Sequence, residues 1–307
     1  MSVKTRTRRL TAGCFAAAAL AAQATGAGAA KLMDWPDLLG RPLPAPSEKI
    51  AYGPGPMQFG ELWIPEGKGP FPVVLMVHGG CWLSGVAKLS IMNYAADDLR
   101  RRGIAVWNIE YRGVDRPGGG YPGTFQDVAA GADALATIAP AHHLRLDRVV
   151  ALGHSAGGHF VLWLAARSRL PAGSALRAAH ALPIAGVVSL GGLPDLAPEA
   201  AADVCGQGVI ARLVGVASPD RADVYADTSP AELGVGAEPQ VQINGEQDGI
   251  APPAFAHAYA AKMQGARLRT IVLPDTGHVE LIAPGTAAWS AAMEAVEAML
   301  GWASRTP

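Results

Sequence analysis

The sequence predicts an α/β fold: a mostly parallel central sheet with helices on both faces and one small insertion. Three observations carry this. Apolar runs at Val73–Val77, Ile104–Trp107 and Val149–Leu152 show no polar alternation, as expected of strands buried on both faces. Stretches of helical period separate them, a strand–helix–strand rhythm that builds a parallel sheet. Glycine turns and chemistry-bearing side chains follow directly after the strands, at the carboxyl ends where open α/β sheets bind ligands.

The chain has 307 residues and a formal net charge of −1. Residues 1–29 read as a secretory signal peptide. Lys4, Arg6, Arg8 and Arg9 precede a short apolar run from Leu10 to Ala22, and Ala27-Gly28-Ala29 offers a small-residue cut. That run is far shorter than the roughly 20 residues of a membrane span, so no stable membrane insertion is expected once it is removed. Export is expected, to the periplasm or beyond the cell, with general secretory and twin-arginine routes both open at Arg8-Arg9. Residues 30–307 then form one catalytic domain of about 278 residues, enough for a sizeable core. No basic block follows the signal, which excludes the electrostatic footprint of nucleic-acid binding. Export leaves Cys81 and Cys205. An oxidising compartment permits a disulfide between them, but two buried thiols are the favoured reading, because a lone pair of cysteines is not a disulfide framework.

Lys49–Tyr52 and Phe59–Ile64 read as early strands, and Gly67-Lys68-Gly69-Pro70 as a turn. Phe71–Val77 is a central strand ending in His78-Gly79-Gly80-Cys81-Trp82. Ser90–Arg102 is a helix closed by Gly103, and Ile104–Tyr111 the next strand. After a glycine-rich loop, Thr124–Ile138 reads as one amphipathic packing helix. Leu146–Leu152 is a strand, and Phe160–Arg167 a helix-forming run. After the strand Gly186–Leu190 the rhythm lapses. Residues 193–236 read as a small cap insertion with one helix, Val204–Val214, and as the place where substrate selection resides. Pro239–Gly245 and Leu268–Pro274 are the last strands, with a helix Ala254–Met263 between them. Ala287–Trp302 is the final helix.

Gly153-His154-Ser155-Ala156-Gly157 lies between a strand and a helix, the context of a nucleophile elbow. Such a turn holds its serine in a strained conformation with Oγ projecting into a cleft. Ser155 could instead serve only as a helix N-cap. Asp248 follows a strand and precedes a helix; it is the candidate acid, or else an ordinary Asp-Gly turn residue. Asp195 is the reserve acid. His278 follows the last strand and is the candidate base. Neutral serine is a weak nucleophile. His278 would take its proton, and Asp248 would orient the imidazole and stabilise its cation. Activity should therefore fall at acid pH, as His278 protonates. The backbone N–H groups of Gly80, Cys81 and Ala156 are the candidate oxyanion donors. His78 reads as a brace for that loop, and His154 and His159 as packing or rim residues. The histidines show no metal-ligand pattern, and no cofactor is implied.

On these residues the chain resembles the α/β-hydrolase superfamily, in the group of small esterases and kynurenine-formamidase-like enzymes. The motifs are His78-Gly79-Gly80-Cys81-Trp82, Glu110-Tyr111-Arg112, Gly153 to Gly158, Ser229-Pro230, Asp248 and Gly277-His278. The order serine, acid, histidine is that of this superfamily. The His-Gly-Gly-x-Trp form is similar to the formamidase-like and feruloyl-esterase-like branch. It departs from the His-Gly-Gly-Gly of hormone-sensitive-lipase-like esterases, since Cys81 stands at the third glycine. The resemblance implies a serine hydrolase of a small-molecule ester, of short acyl or aryl type, with Trp82 at the substrate pocket. Hydrolysis of an aryl formamide or other amide is the alternative. A signal peptide argues against a dedicated role in kynurenine metabolism. A non-catalytic binding protein on the same scaffold is the reading from a different class.

Overall fold

The computed structural model describes residues 1, 31–197, 204–206, 208–263 and 267–302. Apart from Met1, the expected signal peptide lies outside the described residues. No helix among the described residues is long and apolar enough to cross a membrane.

Eight strands form one sheet: β1 (Glu48–Ala51), β2 (Phe59–Trp63), β3 (Phe71–Val77), β4 (Ala105–Ile109), β5 (Leu144–His154), β6 (Gly186–Leu190), β7 (Gln240–Gly245) and β8 (Leu268–Leu273). Their spatial order is β1-β2-β4-β3-β5-β6-β7-β8. β1 and β2 run antiparallel to their neighbours, and every pair from β4 to β8 is parallel. The helices are α1 (Trp35–Leu39), α2 (Asn93–Arg101), α3 (Gly123–Asp133), α4 (Leu135–Ile138), α5 (Ala156–Ala166), α6 (Val209–Val214), α7 (Pro230–Leu233), α8 (Pro253–Lys262) and α9 (Ala287–Leu300).

The unbroken apolar runs are explained by two cores, one on each face. Val73, Leu75 and Val77 of β3, with Ala105, Trp107 and Ile109 of β4, face the core built on Phe125 and Phe160. Val74, Met76 and Val106 face the opposite core, which holds Leu99, Trp289 and Met293. Successive side chains point to opposite faces, so a strand covered on both sides needs apolar residues at every position. Burial is nearly complete around α5, consistent with its apolar sequence on all sides.

Three expectations change in detail. The helix read over 124–138 divides at Ala134 into α3 and α4. The strand before the elbow is longer than expected, since it pairs with β3 from Phe71↔Leu144 to Val77↔Gly153. The helix read from Val204 begins only at Val209. Cys205, Gly206 and Gly208 have φ of 65°, 63° and 61°, a left-handed run that no helix accommodates.

Candidate active site

The turn between β5 and α5 presents Ser155. Its φ of 55° and ψ of −119° lie in a region that residues with a Cβ rarely occupy. Its N–H donates to the Leu190 carbonyl at 2.8 Å, tying the turn to the end of β6. The turn is tight because its flanks lack side chains. A Cβ on Gly157 would run into the carbonyl of Val77. One on Gly79 would come within 2.9 Å of the Ser155 Cβ, so β3 and the elbow meet through glycine on both sides. Ala156 opens α5, where backbone N–H groups have no partner within the helix.

Asp248 and His278 come together across the β7 and β8 loops. The His278 Nδ1–H donates to Asp248 Oδ2 at 2.6 Å. The other carboxylate oxygen, Oδ1, accepts the N–H groups of Ile250 at 2.8 Å and Ala251 at 2.9 Å. Burial pushes the Asp248 carboxyl up. The hydrogen bond and charge of His278 and the two backbone donors outweigh it and hold the group below the usual carboxylate range. Asp248 is thus an anion whose lone pairs are committed, and it fixes the ring tautomer that leaves His278 Nε2 free to take a proton. Asp195 lies elsewhere, accepting from Ser229 Oγ at 3.1 Å and pairing with Lys262 at 3.2 Å. Glu280 receives the N–H groups of Met33 and Gly277, the latter at 3.1 Å.

The turn after β3 is unusual in backbone terms. Gly80, Cys81 and Trp82 have φ of 116°, 54° and 55° in succession. His78 holds it from beneath. Its Nε2 meets Glu110 Oε1 at 2.8 Å, its Nδ1 meets the Gly79 carbonyl at 2.6 Å, and its ring stacks on Tyr111 at 4.5 Å. Glu110 also accepts the N–H of Leu89 at 3.1 Å and that of Tyr111 at 3.0 Å. Burial raises the Glu110 carboxyl, but His78 and these donors bring it below its ordinary value. Arg112 grips Asp127 with two bonds, at 2.6 and 2.7 Å. The Glu110-Tyr111-Arg112 motif is therefore scaffolding for the loops around the cleft.

Ser155, His278, Gly80, Cys81 and His154 border one cleft of about 320 Å³, at the lower end of the roughly 300–1,000 Å³ range of small-molecule sites. Trp82, expected at the substrate pocket, is not on its lining. It is fully buried, and its indole N–H donates to His159 Nδ1 at 3.3 Å. Its left-handed backbone turns it into the core. The described part of residues 193–236 supplies no wall of this cleft either. The apolar walls are Trp35, Leu39, Val86, Ala87, Ile91 and Ile250. Sequence reasoning missed α1, although Asp34-Trp35-Pro36-Asp37 is a readable helix start: the two aspartates form a capping box with Pro36 in the first turn. It also undervalued His154, whose Nε2–H donates to the His278 carbonyl at 3.1 Å and whose ring lies 4.4 Å from the His278 ring.

Cys81 and Cys205 are joined in a disulfide, against the expectation of two free thiols. Their Cα atoms stand 5.7 Å apart across 124 residues of sequence, so no local spacing announced the pair. The bridge ties the β3 turn to the segment between β6 and β7.

Residues 61–263 match the family model described as BD-FAE. The chain belongs to the BD-FAE family. This is a family of α/β-hydrolase esterases, and membership makes the protein a hydrolase enzyme. Over 111 residues the chain is 31% identical to a probable isoprenylcysteine alpha-carbonyl methylesterase of Arabidopsis thaliana. The match covers 36% of this chain and 22% of that protein. In fold it is similar to a truncated carbohydrate esterase from gut microbiota, with a TM-score of 0.70 and 17% identity over 84% of this chain and 98% of that one. It is similar also to a propionate-bound esterase of Thermogutta terrifontis, with a TM-score of 0.67 and 17% identity over 86% and 96%.

Proposed function

We propose that this family member is an exported serine esterase that cleaves a short acyl or aryl ester through an acyl-enzyme. The observation that carries the reading is the single cleft shared by Ser155 and His278, with Asp248 locked to the far side of the imidazole. Ser155 Oγ attacks the ester carbonyl while His278 Nε2 takes its proton. The backbone N–H groups of Gly80, Cys81 and Ala156 receive the oxyanion. Collapse expels the alcohol, which leaves with the proton from His278. Water then attacks the acyl-serine, His278 again accepting and returning one proton, and the carboxylic acid departs. No cofactor enters. Residues 30–307 form the catalytic domain, with residues 193–236 as its insertion. The Cys81–Cys205 bridge supports passage to an oxidising compartment through a signal at residues 1–29.

The test is hydrolysis of p-nitrophenyl esters from C2 to C12, with Ser155→Ala and an aryl formamide alongside. Fast turnover of C2 to C6, abolished in Ser155→Ala, is expected. Activity on the formamide alone would move the protein to amide chemistry. Full activity of Ser155→Ala would end the serine mechanism.

A further inference from the structure

The apolar walls around Ser155 point to what the cleft selects. Among the described residues few large apolar side chains stand exposed, yet Leu39, Val86 and Ile250 do so at 47%, 62% and 42%. All three converge on this one cleft. Among the described residues no Lys, Arg, Asp or Glu lines it. Exposed apolar surface gathered in one concave place marks a binding site for an apolar group.

One of these walls comes from outside the sheet and its crossover helices. α1 is a single turn fixed at several points. Leu38 is fully buried in the core. Arg41 donates to the Pro284 carbonyl at 3.3 Å, and the Tyr94 hydroxyl donates to the Arg41 carbonyl at 3.1 Å. Met33 donates its N–H to Glu280, two residues beyond His278. The turn is thereby fastened to the loop that carries the base. From it, Trp35 reaches the cleft with its ring edge-on to His154, centroids 6.2 Å apart, while Leu39 stands half-exposed.

We propose that α1 is the size gate of the substrate site: Trp35, against His154, and the half-exposed Leu39 wall it together, so that the site admits an uncharged, apolar acyl or aryl group of limited length. This rests on the serine-esterase reading and adds to it the selecting residues and the substrate class. Because apolar pockets discriminate by roughly 10–200-fold per methylene, moving such a wall should redraw the chain-length profile without removing the chemistry.

The experiment compares kcat/KM for the C2–C12 esters in the wild type, Trp35→Ala and Leu39→Trp. The wild type should peak at C6 or below. Trp35→Ala should raise C8–C10 relative to C4 by about tenfold. Leu39→Trp should do the reverse, depressing C6–C8 relative to C2 by a similar factor. Leu39 is half-exposed, so its enlargement tests the gate even where Trp35→Ala fails to fold. Profiles parallel to that of an active wild type would overturn the gate and leave the esterase reading standing. A wild type that cleaves no ester would overturn the esterase reading itself, and the gate with it.

Discussion

His159 carries a pH dependence that can be worked from the structure. It sits in the first turn of α5, fully buried. Its Nε2–H donates to the Thr228 carbonyl at 2.9 Å, and its Nδ1 accepts the Trp82 indole N–H at 3.3 Å. Only the neutral ring satisfies both, because a proton on Nδ1 would face another donor. Burial pushes the imidazole down to about 4, the Thr228 carbonyl opposing weakly. An exposed histidine in the unfolded chain titrates near 6.5. Between those values the unfolded chain binds a proton that the folded chain refuses, so stability is lost as pH falls from about 6.5 towards 4. From pH 7.5 to pH 5 the loss from this residue is about 2 kcal/mol. For about 278 residues, at roughly 2.1 cal/mol/K of unfolding entropy per residue, that corresponds to roughly 3–4 °C in melting temperature. Burial and the neighbouring His278 charge also hold His154 well below its ordinary value, so it acts in the same direction. His159→Gln isolates the one contribution: its melting temperature should fall less than the wild type's between pH 7.5 and 5, by that amount. Equal falls in the two proteins would refute the reasoning, as would an NMR titration placing the folded His159 near 6.5.

Breaking the Cys81–Cys205 bridge, which closes 124 residues, removes up to about 5 kcal/mol in the chain-entropy account. Cys205→Ser and reductant-treated wild type should show the same lowered melting temperature, well below that of the oxidised protein. Asp248→Asn should turn an amide N–H towards His278 and impose the wrong tautomer, lowering kcat by about 10³–10⁴ in steady-state assays. Because Asp248 is held below the usual carboxylate range, the stability it gives is present above about pH 4 and disappears as pH falls through its lower folded value. Urea unfolding of Asp248→Asn should accordingly vary less with pH below 4. Gly157→Ala drives a Cβ into the Val77 carbonyl; a cost of about 1–3 kcal/mol should appear in urea unfolding, with activity reduced as the elbow shifts.

Much of the fold was legible because two-sided burial writes itself into β3, and into Ala105–Trp107 of β4 and Val149–Leu152 of β5, as unbroken apolar runs. The elbow was legible for a related reason: Gly153 and Gly157, two residues either side of Ser155, pass so close to the carbonyls of Gly157 and Val77 that a Cβ at either would clash. What escaped the sequence was whatever depends on distant pieces meeting. Cys81 and Cys205 carry no local signature of their bond. Trp82 was placed at the pocket by the resemblance, but its positive φ sends it inwards to His159. α1 is too short to show a helical period, and its place beside Ser155 follows from anchors at Pro284 and Glu280, some 240 residues away.

The central claim, that Ser155 is the nucleophile of an ester hydrolase, is tested most directly by covalent labelling. The protein is inactivated with diethyl p-nitrophenyl phosphate, and intact mass and peptide mapping locate the adduct. One diethylphosphoryl group per chain on Ser155, formed in step with the loss of ester hydrolysis and absent from Ser155→Ala, is the predicted result. An adduct on another residue, or inactivation of Ser155→Ala at the wild-type rate, would contradict it.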